Sequence, residues 1–267
     1  MLHRVPRRAG LRLGLLAAAQ VAALLLWWQL GWACGLAALL LVHGAVLWGT
    51  FAPTSQLLAP ALVRLPDARG QVWLTIDDGP SDDTLPILDL LDRAGAKATF
   101  FLVGERAARR PQLVREIVRR GHGIGNHSAS HPAAAFWRLG PARMAREIGE
   151  GQRLLASASG RAPVWFRSVV GHTNPFVAPA LQRHGLARVA WSARGYDGAA
   201  RCNPDAVLRR IERGLRPGAI VLLHEGEPHG HNVQIVGRVL ARLGELGYAA
   251  VLPEDAFTPA TPPPASC

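Results

Sequence analysis

The chain has 267 residues, 49% of them hydrophobic, a formal net charge of +11 and three cysteines, a length that holds one domain of about 200 residues plus an appendage. The positive charge is almost entirely arginine, with Lys97 the one lysine; it is scattered, not interleaved with aromatics and attached to no nucleic-acid motif, so no nucleic-acid partner is expected. Cys34, Cys202 and Cys267 are odd in number and irregular in spacing, which argues against a disulfide framework or a zinc knuckle.

Residues 1–51 begin with Arg4, Arg7, Arg8 and Arg12, then run without a charged residue to Arg64. The uncharged stretch from Leu13 to Phe51 is too long for a signal peptide. As one helix it is nearly twice the ~30 Å thickness of a bilayer's hydrocarbon. Two spans, 13–30 and 33–51, with Gly31 to Gly35 as the turn, fit better. Trp27, Trp28, Trp32 and Trp48 are candidate interfacial anchors. Arginines flank both ends and the turn has none, which places both ends in the cytoplasm. A single tilted span would instead place the remainder outside. Residues 52–69, with three prolines, read as a linker near the membrane, and residues 256–267 as a disordered proline-rich tail.

From residue 70 to 255 short apolar runs alternate with helical patterns. Strands are predicted at 71–77, 98–104, 122–127, 164–168, 187–192, 219–225 and 248–252. Between them lie six stretches with apolar residues at three-to-four spacing, most ending at or near a glycine. Such alternation argues an α/β fold with a parallel sheet. Functional residues then gather at the carboxyl ends of the strands.

Those ends carry Asp77 and Asp78, His127 and His131, Arg167, Asp197 and His224. Two histidines four residues apart face one centre if they share a helical turn. One adjacent carboxylate completes a two-histidine, one-carboxylate metal site with open positions. Side chains alternate along a strand, so Asp77 and Asp78 are expected on opposite sides. One then binds the ion, and the other takes a proton from the attacking water.

The blocks "LTIDDGPSDDTLPILDLLDRAGAKATFFLVGERA" and "GHGIGNHSASHP" resemble the NodB-homology polysaccharide deacetylases, carbohydrate esterase family four. The resemblance covers about residues 70–255. It implies a distorted (β/α)7 barrel and a metal-dependent removal of N-acetyl groups from amino sugars. It also implies Asp77 as general base, and Asp78, His127 and His131 as ligands of a divalent ion, usually Zn2+, with Co2+ or Ni2+ as alternatives. Arg167 would orient Asp77, and His224 in "LLHEG" would protonate the leaving amine, charged and held by Asp197. The backbone N–H of Val170 would serve the oxyanion. Two blocks depart from the family: "RSVVGHTN" follows the arginine where Pro-Pro-Tyr-Gly is usual, and "WSARGYDG" has Arg194 for an acid and Gly198 for a tryptophan.

His122 reads as structural, and His172, His184, His229 and His231 as ordinary loop or helix-end residues. Glu225 and Glu227 read as solvated. The expected function is a membrane-anchored deacetylase of an amino-sugar glycan in a bacterial inner membrane, with an N-acetylated sugar and membrane lipid as partners and no protein partner. Two alternatives stand beside it. One is a deacetylase or deformylase of a polyprenyl-phosphate-linked amino sugar at the cytoplasmic face. The other is an inactive, membrane-bound glycan-binding module.

Overall fold

The computed structural model describes residues 5–66 and 68–255. The proline-rich tail expected at 256–267 lies outside the described residues. The chain opens with two helices, α1 (Ala9–Leu30) and α2 (Trp32–Phe51), packed against each other as a hairpin. Gly31, at φ 87°, makes the turn. Gly35 is needed for close approach, since a β-carbon there would overlap Trp27. Both helices are long and apolar enough to cross a membrane. Large apolar side chains such as Leu15, Leu24, Trp28, Leu41 and Trp48 stand exposed on them.

The remainder is a parallel sheet wrapped by helices. Its strands are β1 (Gln71–Asp77), β2 (Ala98–Leu102), β3 (Gly123–Asn126), β4 (Trp165–Phe166), β5 (Ala187–Arg188), β6 (Ala193–Arg194), β7 (Ile220–His224) and β8 (Ala249–Ala250), in the order β5-β4-β3-β2-β1-β7-β6, with β8 beside the start of β1. Every strand pair is parallel. All seven predicted strands have a counterpart, but of the fifth, predicted at 187–192, only Ala187–Arg188 is strand, and a separate short strand follows at Ala193–Arg194. β5 pairs with β4 and β6 with β7, at the two ends of the sheet order. One stretch of chain, 187–194, thus supplies both edge strands of the half-barrel.

Strand parity separates two cores. Seven helices surround the sheet: α3 (Thr84–Arg93), α4 (Gly104–Arg109), α5 (Pro111–Arg119), α6 (Pro141–Ser159), α7 (Val177–Arg183), α8 (Pro204–Gly214) and α9 (Asn232–Glu245) among the described residues. Val72, Leu74 and Ile76 pack outward against α3, α5, α8 and α9. Trp73 points inward to Phe101, Trp165, Trp191 and Leu222. Leu62, Leu65 and Ala68, from the segment read as a linker, fill this inner core. The Leu62 and Leu65 N–H groups donate to the carbonyls of Arg188 and Gly218. The prolines of 52–69 shape a strap that is packed into the barrel, because its leucines have an apolar interior to enter.

The long helix α6 (Pro141–Ser159) lies against the loop after β3. Gly151 is required there: a β-carbon would stand 2.7 Å from Asn126 Oδ1 and 2.8 Å from the Ser128 backbone. Gly151→Ala is therefore expected to cost about 1–3 kcal/mol through overpacking. It should also displace the 126–131 loop. A lowered melting temperature together with weakened metal binding checks this; unchanged values for both would contradict it.

Candidate active site

β1 delivers the first pair of groups. By parity Thr75 and Asp77 follow Trp73 to the inside of the barrel. There they meet Arg167, just past β4, which has no exposed surface. Its Nη1 donates to Asp77 Oδ1 and to Thr75 Oγ1, both at 2.7 Å, and its Nη2 donates to the Ala190 carbonyl at 3.0 Å. The guanidinium lies 4.2 Å from the Phe101 ring centroid. Thr75 is a site residue that the sequence reading passed over. Its two-residue offset from Asp77 was the available signal.

Asp78 sits at φ 72°. Strand alternation would aim it away from Asp77, and this left-handed turn swings it back. Its Oδ1 lies 2.9 Å from His131 Nε2 and 3.3 Å from His127 Nε2, while Asp77 Oδ2 is 3.9 Å from His127 Nε2. The expectation of opposite sides holds for the strand and ends at its last residue.

His127 and His131 converge, but not on a helical turn. β3 ends at Asn126, and 127–131 is an irregular loop with Ser128 at φ 70° and His131 at φ 57°. Asn126 Oδ1 accepts from Ser128 N–H, and Ser128 Oγ accepts from His131 N–H. Glu147 of α6 accepts from both Ser130 N–H and Ser130 Oγ. These local bonds out-compete helix formation.

The donor set suits a divalent cation. One ligand atom from each of Asp78, His127 and His131 lies within 4.8 Å of the other two. His127 Nδ1 donates to the Arg167 carbonyl at 2.8 Å, which turns the lone pair of Nε2 toward Asp78. Asp78 Oδ1 is buried without a hydrogen bond. Burial would raise the Asp78 carboxyl, but the two facing imidazoles hold it well below the usual carboxylate range. An anionic oxygen and two ring nitrogens directed at one point are the ligands a tetrahedral or open zinc-like site uses.

His224 ends β7, directly opposite Asp77 in the β1–β7 register. Asp197 grips it twice: Oδ1 lies 3.1 Å from Nδ1, and Oδ2 accepts from the backbone N–H at 2.7 Å. Burial disfavours the imidazolium, but the Asp197 charge and hydrogen bond, aided by Asp77 and Asp78, push its pKa up to about 10. His229 Nε2 approaches the Asp197 carbonyl at 2.7 Å, bracing that loop from behind.

Val170 is half-exposed at φ 49° in a tight turn, Val169–Gly171. With Trp191, Arg194, Tyr196, Leu222 and His224 it lines a cavity of about 270 Å3. Arg194, where an acid was expected, stacks on Tyr196 at 4.0 Å and on Trp191 at 5.5 Å. Gly198 leaves the His224 ring uncovered; a β-carbon there would stand 3.3 Å from it. Trp191 and Tyr196 supply the aromatic surface.

Glu225 corrects the sequence reading. It is fully buried rather than solvated. It accepts from Ser81 Oγ and Thr84 Oγ1, and burial pushes its carboxyl up to about 7. It ties the end of β7 to the loop after β1. His122 is structural as expected: buried, its Nδ1 accepting from Ala98 N–H, and its pKa lowered to about 4 by desolvation.

All eight residues singled out in the sequence, Asp77, Asp78, His127, His131, Arg167, Val170, Asp197 and His224, thus meet at one rim. Residues 65–189 match the family model described as polysaccharide deacetylase. The chain is 38% identical over 161 residues to a chitooligosaccharide deacetylase of Bradyrhizobium sp., covering 60% of this chain and 72% of that one. Among solved structures it resembles the Bc1960 peptidoglycan N-acetylglucosamine deacetylase, with TM-score 0.66 and 29% identity over 72% of this chain and 90% of that one. It also resembles BA3943, a CE4 family pseudoenzyme from Bacillus anthracis, with TM-score 0.64 and 27% identity over 71% of this chain and 66% of that one. The chain belongs to the polysaccharide deacetylase family, the NodB-homology CE4 group of divalent-metal-dependent hydrolases that act on the amide bonds of N-acetyl sugars.

Proposed function

We propose that this protein is a membrane-anchored deacetylase of an N-acetylglucosamine-containing oligosaccharide, holding one Zn2+ on Asp78, His127 and His131. The observation that carries the reading is the convergence of those three ligand atoms between Asp77 on one strand and His224 at the same level of the next. When bound, the ion polarises the amide carbonyl and makes the attacking water more acidic.

The chain's own groups do the rest. Asp77, kept in place by Arg167 at 2.7 Å, takes a proton from the water as its oxygen bonds to the carbonyl carbon. The Val170 N–H stabilises the developing oxyanion. His224, charged at neutral pH because its pKa is raised, gives its Nε2 proton to the amide nitrogen. The C–N bond then breaks, and acetate and a free amine leave. The proton returns to His224 from solvent, and Asp77 releases its own.

No base, acid or ligand position is missing, which favours an enzyme over an inactive binding module. A second reading narrows the acceptor to a polyprenyl-phosphate-linked amino sugar processed at the cytoplasmic face. It is favoured by the hairpin, whose two feet share one side and are both flanked by arginine: Arg7 and Arg8 just before α1 and Arg12 in its first turn, Arg64 and Arg69 after α2.

Four sets of measurements test these readings. Purified protein with added Zn2+ or Co2+ should release acetate from N-acetylglucosamine oligomers. Asp77→Asn should keep the metal and lose about 10²–10⁴-fold in turnover, while His127→Ala should lose the metal itself; an active Asp77→Asn enzyme would contradict the assignment. From neutral pH upward, activity should fall as pH rises through the raised pKa of His224. Asp197→Asn removes the anion that raises it, so the alkaline limb should move down by about 1–3 pH units; an unmoved limb would exclude His224 as the acid. A topology reporter fused after Cys267 should give a cytoplasmic signal, and a signal from outside would sink the cytoplasmic placement.

A further inference from the structure

The hairpin is not tethered to the catalytic domain by slack chain. The last turn of α2 is built into the rim of the active site. The Thr50 carbonyl accepts from Thr173 N–H at 3.0 Å, and Thr50 is buried. The Phe51 ring stands edge-on to His172 at 5.0 Å and tilted against Trp137 at 5.5 Å. Pro53 packs so closely on Gly171 that a β-carbon there would lie 2.8 Å from its Cγ. Ser55 is fixed in turn by Arg188, whose Nη2 donates to its carbonyl at 2.6 Å. His172 and Gly171 adjoin the Val170 turn, and Trp137 follows the His131 loop. Asn174 binds these two loops together by donating to the Trp137 and Leu139 carbonyls.

Two further features mark the level of a membrane surface. An exposed aromatic band runs from Trp48 through Phe51 at the foot of α2 onto Trp137 of the rim; such rings favour the interface between hydrocarbon and water. At the foot of α1, Arg7, Arg8 and Arg12 line a groove of about 430 Å3 with Leu11, Leu15 and Leu57. Basic groups above an apolar slot complement an anionic phospholipid headgroup and its chain.

We infer that the sector of the catalytic rim carrying Trp137 and Val170 rests in the headgroup layer of the bilayer, so that the enzyme takes its amino sugar from a lipid anchor in that bilayer rather than from solution. The inference rests on the reading of the chain as a membrane-anchored deacetylase and identifies how the substrate arrives. The cavity beside His224 has Val170 in its wall, so the membrane-side sector contributes to the space next to the proposed proton donor. A glycan free in solution gains nothing from this placement. A sugar held at the surface by an anchor is confined to the plane in which the rim lies, which raises its effective concentration.

The test uses the full chain in vesicles of phosphatidylcholine and phosphatidylglycerol, in a background of Cys34→Ala, Cys202→Ser and Cys267→Ser. An environment-sensitive fluorophore is attached at Trp137→Cys and, as a control across the rim, at Arg109→Cys. Brominated lipids should quench the label at 137 and leave that at 109 unaffected; equal, solvent-like emission at both overturns the inference. In the same vesicles kcat/KM for a synthetic N-acetylglucosaminyl lipid should exceed that for a soluble N-acetylglucosamine oligomer by about tenfold or more. Trp137→Glu should erode that preference toward unity, and an unchanged preference also overturns it. Quenching at 137 with no turnover of either substrate would overturn the deacetylase reading and leave the docking intact.

Discussion

A single buried contact organises the active site: the Arg167 guanidinium against the Asp77 carboxylate at 2.7 Å. Two adjacent carboxylates at a strand end would repel each other. Here Asp77 has the guanidinium, and Asp78 faces the imidazole pair, a donor set that would hold a divalent cation. The contact reaches across the barrel from β4 to β1 and recruits Thr75, Phe101 and the Ala190 carbonyl. Removing either partner of such a pair typically costs about 3–5 kcal/mol, because the other charge stays buried and alone. The same arginine's carbonyl fixes the His127 ring. The proposed base and one proposed metal ligand are therefore positioned from one residue.

Backbone strain follows the same geography. Of the non-glycine residues with positive φ, Asp78, Ser128, His131, Val170 and Tyr196 all lie in loops at the carboxyl ends of strands, and Arg8 alone stands elsewhere among the described residues. Left-handed backbone at such residues costs of order 1–3 kcal/mol each. The surrounding barrel over-determines them, and the return is preorganisation: the side chains proposed as ligands and proton-transfer groups converge from β1, β3, β4, β6 and β7.

How much of this was legible follows from range. The strands, the helices and the residues at the strand ends could be read because apolar periodicity and the Asp-Asp and His-x-x-x-His spacings are local; Val170 came only from the family resemblance. Longer-range facts were not legible. The split of 187–194 depends on which edges lie nearby when the barrel closes. The burial of Leu62 and Leu65 depends on an interior that only the folded strands create. The loop of 127–131 depends on Asn126, Ser128 and Glu147 satisfying backbone groups that a helix would have used. Glu225 looked like a surface acid, since nothing near it in sequence announced Ser81 and Thr84 as its partners. The docking of Thr50 and Phe51 on the rim joins two segments more than a hundred residues apart.

X-ray absorption at the metal edge of the metal-loaded full chain addresses the central claim most directly. Two imidazole nitrogens at about 2.0–2.1 Å plus carboxylate and solvent oxygens, with one imidazole lost on changing His131 to alanine, are the result this account requires. A shell containing sulfur, or one unaltered by that substitution, would place the metal elsewhere and remove the basis for the hydrolytic site.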